Sequence, residues 1–225
     1  FEYNKRGHQV YRVMKIDATT GGMSVIIDEQ SPTFIDYSGK KYRYDAEESR
    51  EIIWASERDG WNHLYLFDSS LGELKNQITS GEWVVRNVTR VDEKNRQIIF
   101  QASGKEAGDP YFIYYYRINF DGTGLKLLTV GEGNHNASFS PDYSYFVDTW
   151  STVNTPPVSV LRKTDDGKVL MELEKADISE LLRTGVRLPE VFVSKGRDGV
   201  TDIWGIINRP SDFDPSKKYP VIEDI

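Results

Sequence analysis

The 225-residue sequence contains no cysteine. That excludes disulfides, thiolate zinc sites and a cysteine nucleophile, and it leaves the compartment open. A basic excess is also missing. With 28 Lys and Arg against 35 Asp and Glu, the net charge is −7, so little can neutralise phosphates and no nucleic-acid or anionic-membrane surface is expected. No apolar run approaches the roughly 18 residues that would suggest a membrane span. Histidine is confined to His8, His63 and His135, far apart and without His-Glu-x-x-His or other ligand-like spacing, so no zinc site is expected. Cofactor signals are absent too. Gly131-Glu-Gly133 lacks the third glycine and the strand–helix setting of a dinucleotide loop. Asp121-Gly-Thr-Gly124 and Asp165-Asp-Gly167 lack the alternating aspartates and distal glutamate of a calcium loop. The chain opens at Phe1 without Met or a charged-then-apolar leader, so a signal peptide would lie upstream. Both ends read as cut, since Phe1 enters structured sequence at once and Ile225 stops inside an apolar run.

Aromatic residues are abundant, at 13 Tyr, 10 Phe and 5 Trp. Such a load fits strands packed on both faces and argues against disorder. An apolar strand, an Asp-containing turn with glycine and a second strand recur down the chain. The copies run Tyr11–Asp17 to Gly21, His63–Asp68 to Gly72, Tyr116–Asp121 to Gly124 and Val160–Asp165 to Gly167. The step is about 50 residues, with two earlier strands per copy, and four short strands in a unit of this length describe a propeller blade. The earlier strands are expected near Tyr42–Tyr44 and Glu51–Ser56, Trp83–Val91 and Gln97–Ala102, and His135–Phe139 and Tyr145–Trp150. The first copy is expected to lack its opening strands. Ile52-Ile-Trp54, Leu64–Phe67, Ile98–Phe100 and Tyr111–Tyr116 are nearly continuous apolar or aromatic runs. A sheet with one wet face would alternate, whereas stacked blades bury both faces. A two-sheet sandwich is the competing fold, and the regular spacing favours the propeller.

The repeat ends near Lys175. Asp177-x-x-Glu180 reads as a capping box opening a short helix with Ile178, Leu181 and Leu182 on one face, ended by Gly185. Strands are expected over Val191–Ser194 and Asp202–Asn208, joined by the turn Lys195–Gly199. A Pro-rich loop, Arg209–Pro215, leads into Tyr219–Ile225. The boundary falls near 176–188, giving a partial propeller over 1–175 and a different unit over 176–225.

Four stretches carry a resemblance in their order along the chain. They are Trp54-Ala-Ser-Glu-Arg-Asp-Gly-Trp-Asn-His-Leu-Tyr-Leu-Phe-Asp68, Thr79-Ser-Gly-Glu-Trp-Val-Val85, Phe139-Ser-Pro-Asp142 and Pro215-Ser-Lys-Lys-Tyr-Pro-Val-Ile222. Together they resemble the dipeptidyl-peptidase-IV branch of the prolyl oligopeptidase family of serine peptidases. The resemblance implies an all-β, incomplete β-propeller of about three to four blades of four antiparallel strands, followed by the first strands of an α/β-hydrolase domain. The segment around Lys217-Lys-Tyr-Pro-Val-Ile222 would be an early strand of that domain. It implies a parent that releases dipeptides from peptide amino termini, needs no cofactor, acts in the periplasm, outside the cell or at its surface, and often forms homodimers. Partners would be peptide substrate and the chain's own hydrolase domain.

No catalytic residue carries over. The family's serine sits in a Gly-x-Ser-x-Gly elbow, followed by Asp and then His, and no such elbow exists in this sequence. Substrate-binding residues are not assigned either. Glu47-Glu48 is the only Glu-Glu pair, but it precedes a strand in the wrong repeat for the family's acidic pair. Trp54, Ser56, Glu57, Arg58, Asp59, Gly60 and His63 form a structural blade motif, read as a turn rather than a charged catalytic cluster. Glu47-Glu48 and Glu57 with Asp59 could pair for glycoside cleavage only at a separation that sequence does not give. Asn87-Val-Thr89 and Asn136-Ala-Ser138 are formal glycosylation sequons, and Tyr111–Tyr116 could form a ligand platform, with blade core as the plainer use. The alternative to a peptidase scaffold is a propeller that binds protein or glycan without catalysis.

Overall fold

The structure, a computed structural model, describes residues 1–36, 41–46 and 48–224. Four successive antiparallel sheets are each built from strands adjacent in sequence. The first holds β1 (Glu2–Asn4), β2 (Val10–Ile16) and β3 (Met23–Gln30). The second holds β4 (Arg43–Ala46), β5 (Glu51–Ser56), β6 (His63–Asp68) and β7 (Leu74–Gln77). The third runs through β8 (Val84–Asp92), β9 (Gln97–Ser103), β10 (Tyr114–Asn119) and β11 (Lys126–Leu127). The fourth comprises β12 (Asn134–Phe139), β13 (Tyr145–Thr152), β14 (Thr155–Lys163) and β15 (Val169–Lys175). Each is a meander of the propeller-blade kind, and among the described residues these strands form four separate sheets where a two-sheet sandwich would form two.

The glycine turns occupy equivalent places. Gly21, Gly72, Gly124 and Gly167 all lie between the last two strands of their sheets, at φ of 70°, 74°, 68° and 71°, where glycine meets no Cβ penalty. By that register the first sheet lacks only its opening strand. β1 was not foreseen, because Glu-Tyr-Asn is a short, largely exposed segment with no apolar pattern.

Side-chain alternation explains the unbroken apolar runs. On β5, Ile53 and Ala55 join a core with the third blade, while Ile52 and Trp54 turn to a core with the first. β6 divides the same way, with Leu64 and Leu66 on one side and Tyr65 and Phe67 on the other. On β10, Tyr114 and Tyr116 face the second blade and Tyr115 the fourth, beside Phe146. Strands buried on both faces have no polar side to show. The three tyrosines are core, and only Tyr111 of that run stands clearly exposed.

Beyond β15 come α1 (Ser179–Arg183) and a two-stranded sheet of β16 (Glu190–Lys195) and β17 (Asp202–Ile207). Gly185 ends the helix with φ 86°, but the capping box does not form. Asp177 accepts the amide of Ser179, two residues on, at 2.8 Å, and Ile178 takes the cap position without a side-chain bond. The aspartate sits one residue too early to reach the third helical amide. Residues 220–224 are not a strand, contrary to expectation, and Val221 and Ile222 are almost fully exposed. No partner strand lies beside them among the described residues, and an isolated strand leaves its ladder groups unpaired. No helix among the described residues is long and apolar enough to cross a membrane.

Candidate functional site

The segment after β5 leads to β6, and Ser56, Glu57, Arg58 and Gly60 line a cavity of about 310 Å³ between the first two blades. At its centre is Glu29 of β3, which the sequence did not single out. Its carboxylate accepts Trp54 Nε1 and Ser56 Oγ, each at 2.9 Å, and also binds the Arg58 guanidinium. Arg58 in turn lies 4.9 Å from the Tyr65 ring centroid and 5.3 Å from that of Phe67. A buried carboxylate is tolerable only when its lone pairs are met, and this one is met by three side chains of the next blade. The one available signal was an acidic residue closing an apolar strand, Val25-Ile-Ile-Asp-Glu29. Tyr11 and Lys41 also line the cavity.

Asp59 and Gly60 make the turn. Gly60 has φ 98°, and its amide reaches Glu57 O at 2.9 Å. Asp59 accepts the Trp61 amide at 3.1 Å and Gln77 Nε2 at 2.6 Å. Burial opposes its charged form, but the Gln77 and Trp61 bonds outweigh that and hold the carboxyl below its usual range.

His63 stands apart from this network. Its Nε2 faces the Gly81 carbonyl at 2.8 Å and so must donate, while Nδ1 meets Thr79 Oγ1 at 2.9 Å. Thr79 Oγ1 accepts the Leu64 amide at 2.9 Å, leaving its hydroxyl proton for Nδ1. Ser56 thus gives its proton to a carboxylate while His63 is engaged elsewhere, and no nucleophile–base pair exists here.

A second buried histidine does related work. His135 Nε2 donates to the Gly131 carbonyl at 3.0 Å, and Nδ1 lies 2.9 Å from Asp148. Arg162 binds the same aspartate at 2.8 Å and reaches the carbonyls of Gly167 and Val130. His135, Asp148 and Arg162 are essentially buried and tie the loop after β11 to the turn before β15. Thr79–Gly81 and Thr129–Gly131 are therefore matching loops whose glycine carbonyls are each closed by a histidine.

The other sequence candidates disperse. Glu47 falls outside the described residues, and Glu48 is exposed. Asn87 and Asn136 are exposed on the opening strands β8 and β12. The aspartates at 121 and 165 belong to hairpin turns. Among the described residues, no three His, Asp or Glu side chains gather as a metal site would require.

Radially repeated four-stranded meanders, packed face to face, define part of a β-propeller. Residues 1–157 match the family model described as the dipeptidyl peptidase IV (DPP IV) N-terminal region, and the chain belongs to that family. It is 27% identical over 168 residues to dipeptidyl-aminopeptidase B of Aspergillus niger, covering 73% of this chain and 18% of that protein. It is 27% identical over 173 residues to prolyl endopeptidase FAP of Mus musculus, covering 74% and 22% respectively. The crystal structure of dipeptidyl peptidase 4 from Porphyromonas gingivalis superposes with TM-score 0.77 at 25% identity, over 97% of this chain and 30% of that one. The chain therefore spans well under half of the proteins it matches.

Proposed function

We propose that this chain is the propeller part of a dipeptidyl-peptidase-IV-like serine exopeptidase, where it gates and orients peptide substrate for a hydrolase domain. The reading rests on family membership over residues 1–157 in a sequence with no Gly-x-Ser-x-Gly. Acyl transfer needs an activated nucleophile, a base and oxyanion donors. Ser56 and His63 do not form such a pair, which supports a scaffold role for the chain. The parent would cleave dipeptides from peptide amino termini in the periplasm, outside the cell or at its surface, and such enzymes often form homodimers.

The propeller portion is taken as residues 1–175 and the start of the peptidase domain as 176–225. In support, β15 ends at Lys175, and among the described residues the later hairpin pairs with no blade strand. Reading the coding sequence past Ile225 tests the proposal. A Gly-x-Ser-x-Gly elbow followed by Asp and then His is expected. Its absence would favour a propeller that binds protein or glycan without catalysis.

A further inference from the structure

Between the third and fourth blades lies a cleft of about 410 Å³, within the ~300–1,000 Å³ range of small-molecule sites. We propose that this cleft binds a neutral saccharide.

Charge is the first ground. Arg90, Arg117 and Lys163 line the cleft together with Asp92, Asp142 and Asp165, three cations against three carboxylates. A phosphate entering would meet the carboxylates, and an ammonium would meet the cations. A ligand of no net charge meets neither penalty.

Unspent hydrogen-bonding capacity is the second. Arg90 donates to Asp92 at 3.2 Å and Arg117 to Asp165 at 3.2 Å. A guanidinium carries five N–H groups, so both retain donors. Asp165 is largely exposed and keeps lone pairs for an incoming hydroxyl. Sugar hydroxyls both donate and accept, so a single ligand class can use the arginines and Asp165 together.

The third ground is a ring face. Tyr145 lines the cleft and is 46% exposed, offering an apolar platform for the C–H face of a sugar ring. Tyr143 cannot serve this way, since the Arg90 guanidinium sits 4.0 Å from its ring centroid and Phe139 stacks on it at 5.1 Å.

The test is saturation-transfer NMR on the purified chain with maltose, cellobiose and N,N′-diacetylchitobiose at millimolar concentration. Inorganic phosphate serves as the anionic control. At least one disaccharide should receive saturation on its C–H protons. Binding should weaken tenfold or more in Tyr145→Ala and in Arg117→Gln, each compared at a melting temperature close to that of the parent chain. Should Arg117→Gln fail to fold, Tyr145→Ala at the half-exposed position decides alone. No transfer to any of the three sugars would overturn the proposal, as would transfer unchanged in the variants. Phosphate that binds and displaces the sugar would make this an anion site and overturn it equally.

Discussion

The carboxylate of Glu51, at the start of β5, is gripped across the blade boundary by the guanidinium of Arg96, through bonds of 2.8 and 3.2 Å. Lys75 of β7 binds the same group, and Glu51 is only 2% exposed. Burial alone would raise its pKa, but the Arg96 and Lys75 bonds prevail and push it down to about 2 from 4.5.

A folded-state pKa below the unfolded one means stability that is fully present above the unfolded value and lost as pH falls towards the folded value. Melting temperature should therefore drop between about pH 4.5 and 2, and Glu51→Gln should flatten part of that drop. Identical pH profiles for the two proteins would contradict this. Arg96→Met should cost about 2 kcal/mol in urea unfolding, less than a fully stranded buried charge, because Lys75 remains.

Two glycines separate backbone strain from packing. Gly21 and Gly167 share nearly the same φ, 70° and 71°. A Cβ at Gly21 would meet nothing within 4 Å, as at Gly60, whereas one at Gly167 would run into the Leu128 backbone of the preceding blade. Gly72 faces Ile26 O and Val25 O in the same manner, at 2.9 Å. Gly21→Ala should cost about 1 kcal/mol from positive φ alone. Gly167→Ala should cost at least twice that in the same melting experiment, and equal losses would mean that the turn does not press on its neighbour.

Asp148 holds two buried cationic or proton-donating partners at once. Asp148→Ala should strand Arg162 and His135, lowering stability by about 3–5 kcal/mol. Hydrogen exchange should report the loss first at the amides around Val130–Gly131 and Gly167, whose carbonyls this network holds. Uniform loss of protection over all four blades would speak against a local clamp.

Blade architecture was legible because it depends on local rules. Continuous apolar runs and turn chemistry placed Glu51–Ser56 and His63–Asp68 at the strand bounds observed. The four turn glycines marked equivalent corners for the same reason. What escaped depends on contacts distant in sequence. Glu29 meets Trp54, Ser56 and Arg58 across a blade boundary, and nothing in the Met23–Gln30 segment reveals that encounter. The His135–Asp148–Arg162 network is likewise set by how β12, β13 and β14 align. Local patterns also misled at Asp177, where a capping box on paper became a two-residue turn.

The proposed reading makes this chain the scaffold of a peptidase and leaves the chemistry to a hydrolase domain. The direct measurement is chromophore release from an amino-terminal Xaa-Pro substrate by purified residues 1–225, beside the longer parent protein. The chain alone should give no turnover while the parent turns over. Sustained hydrolysis by the chain that disappears on Ser56→Ala or His63→Ala in a folded variant would contradict the account.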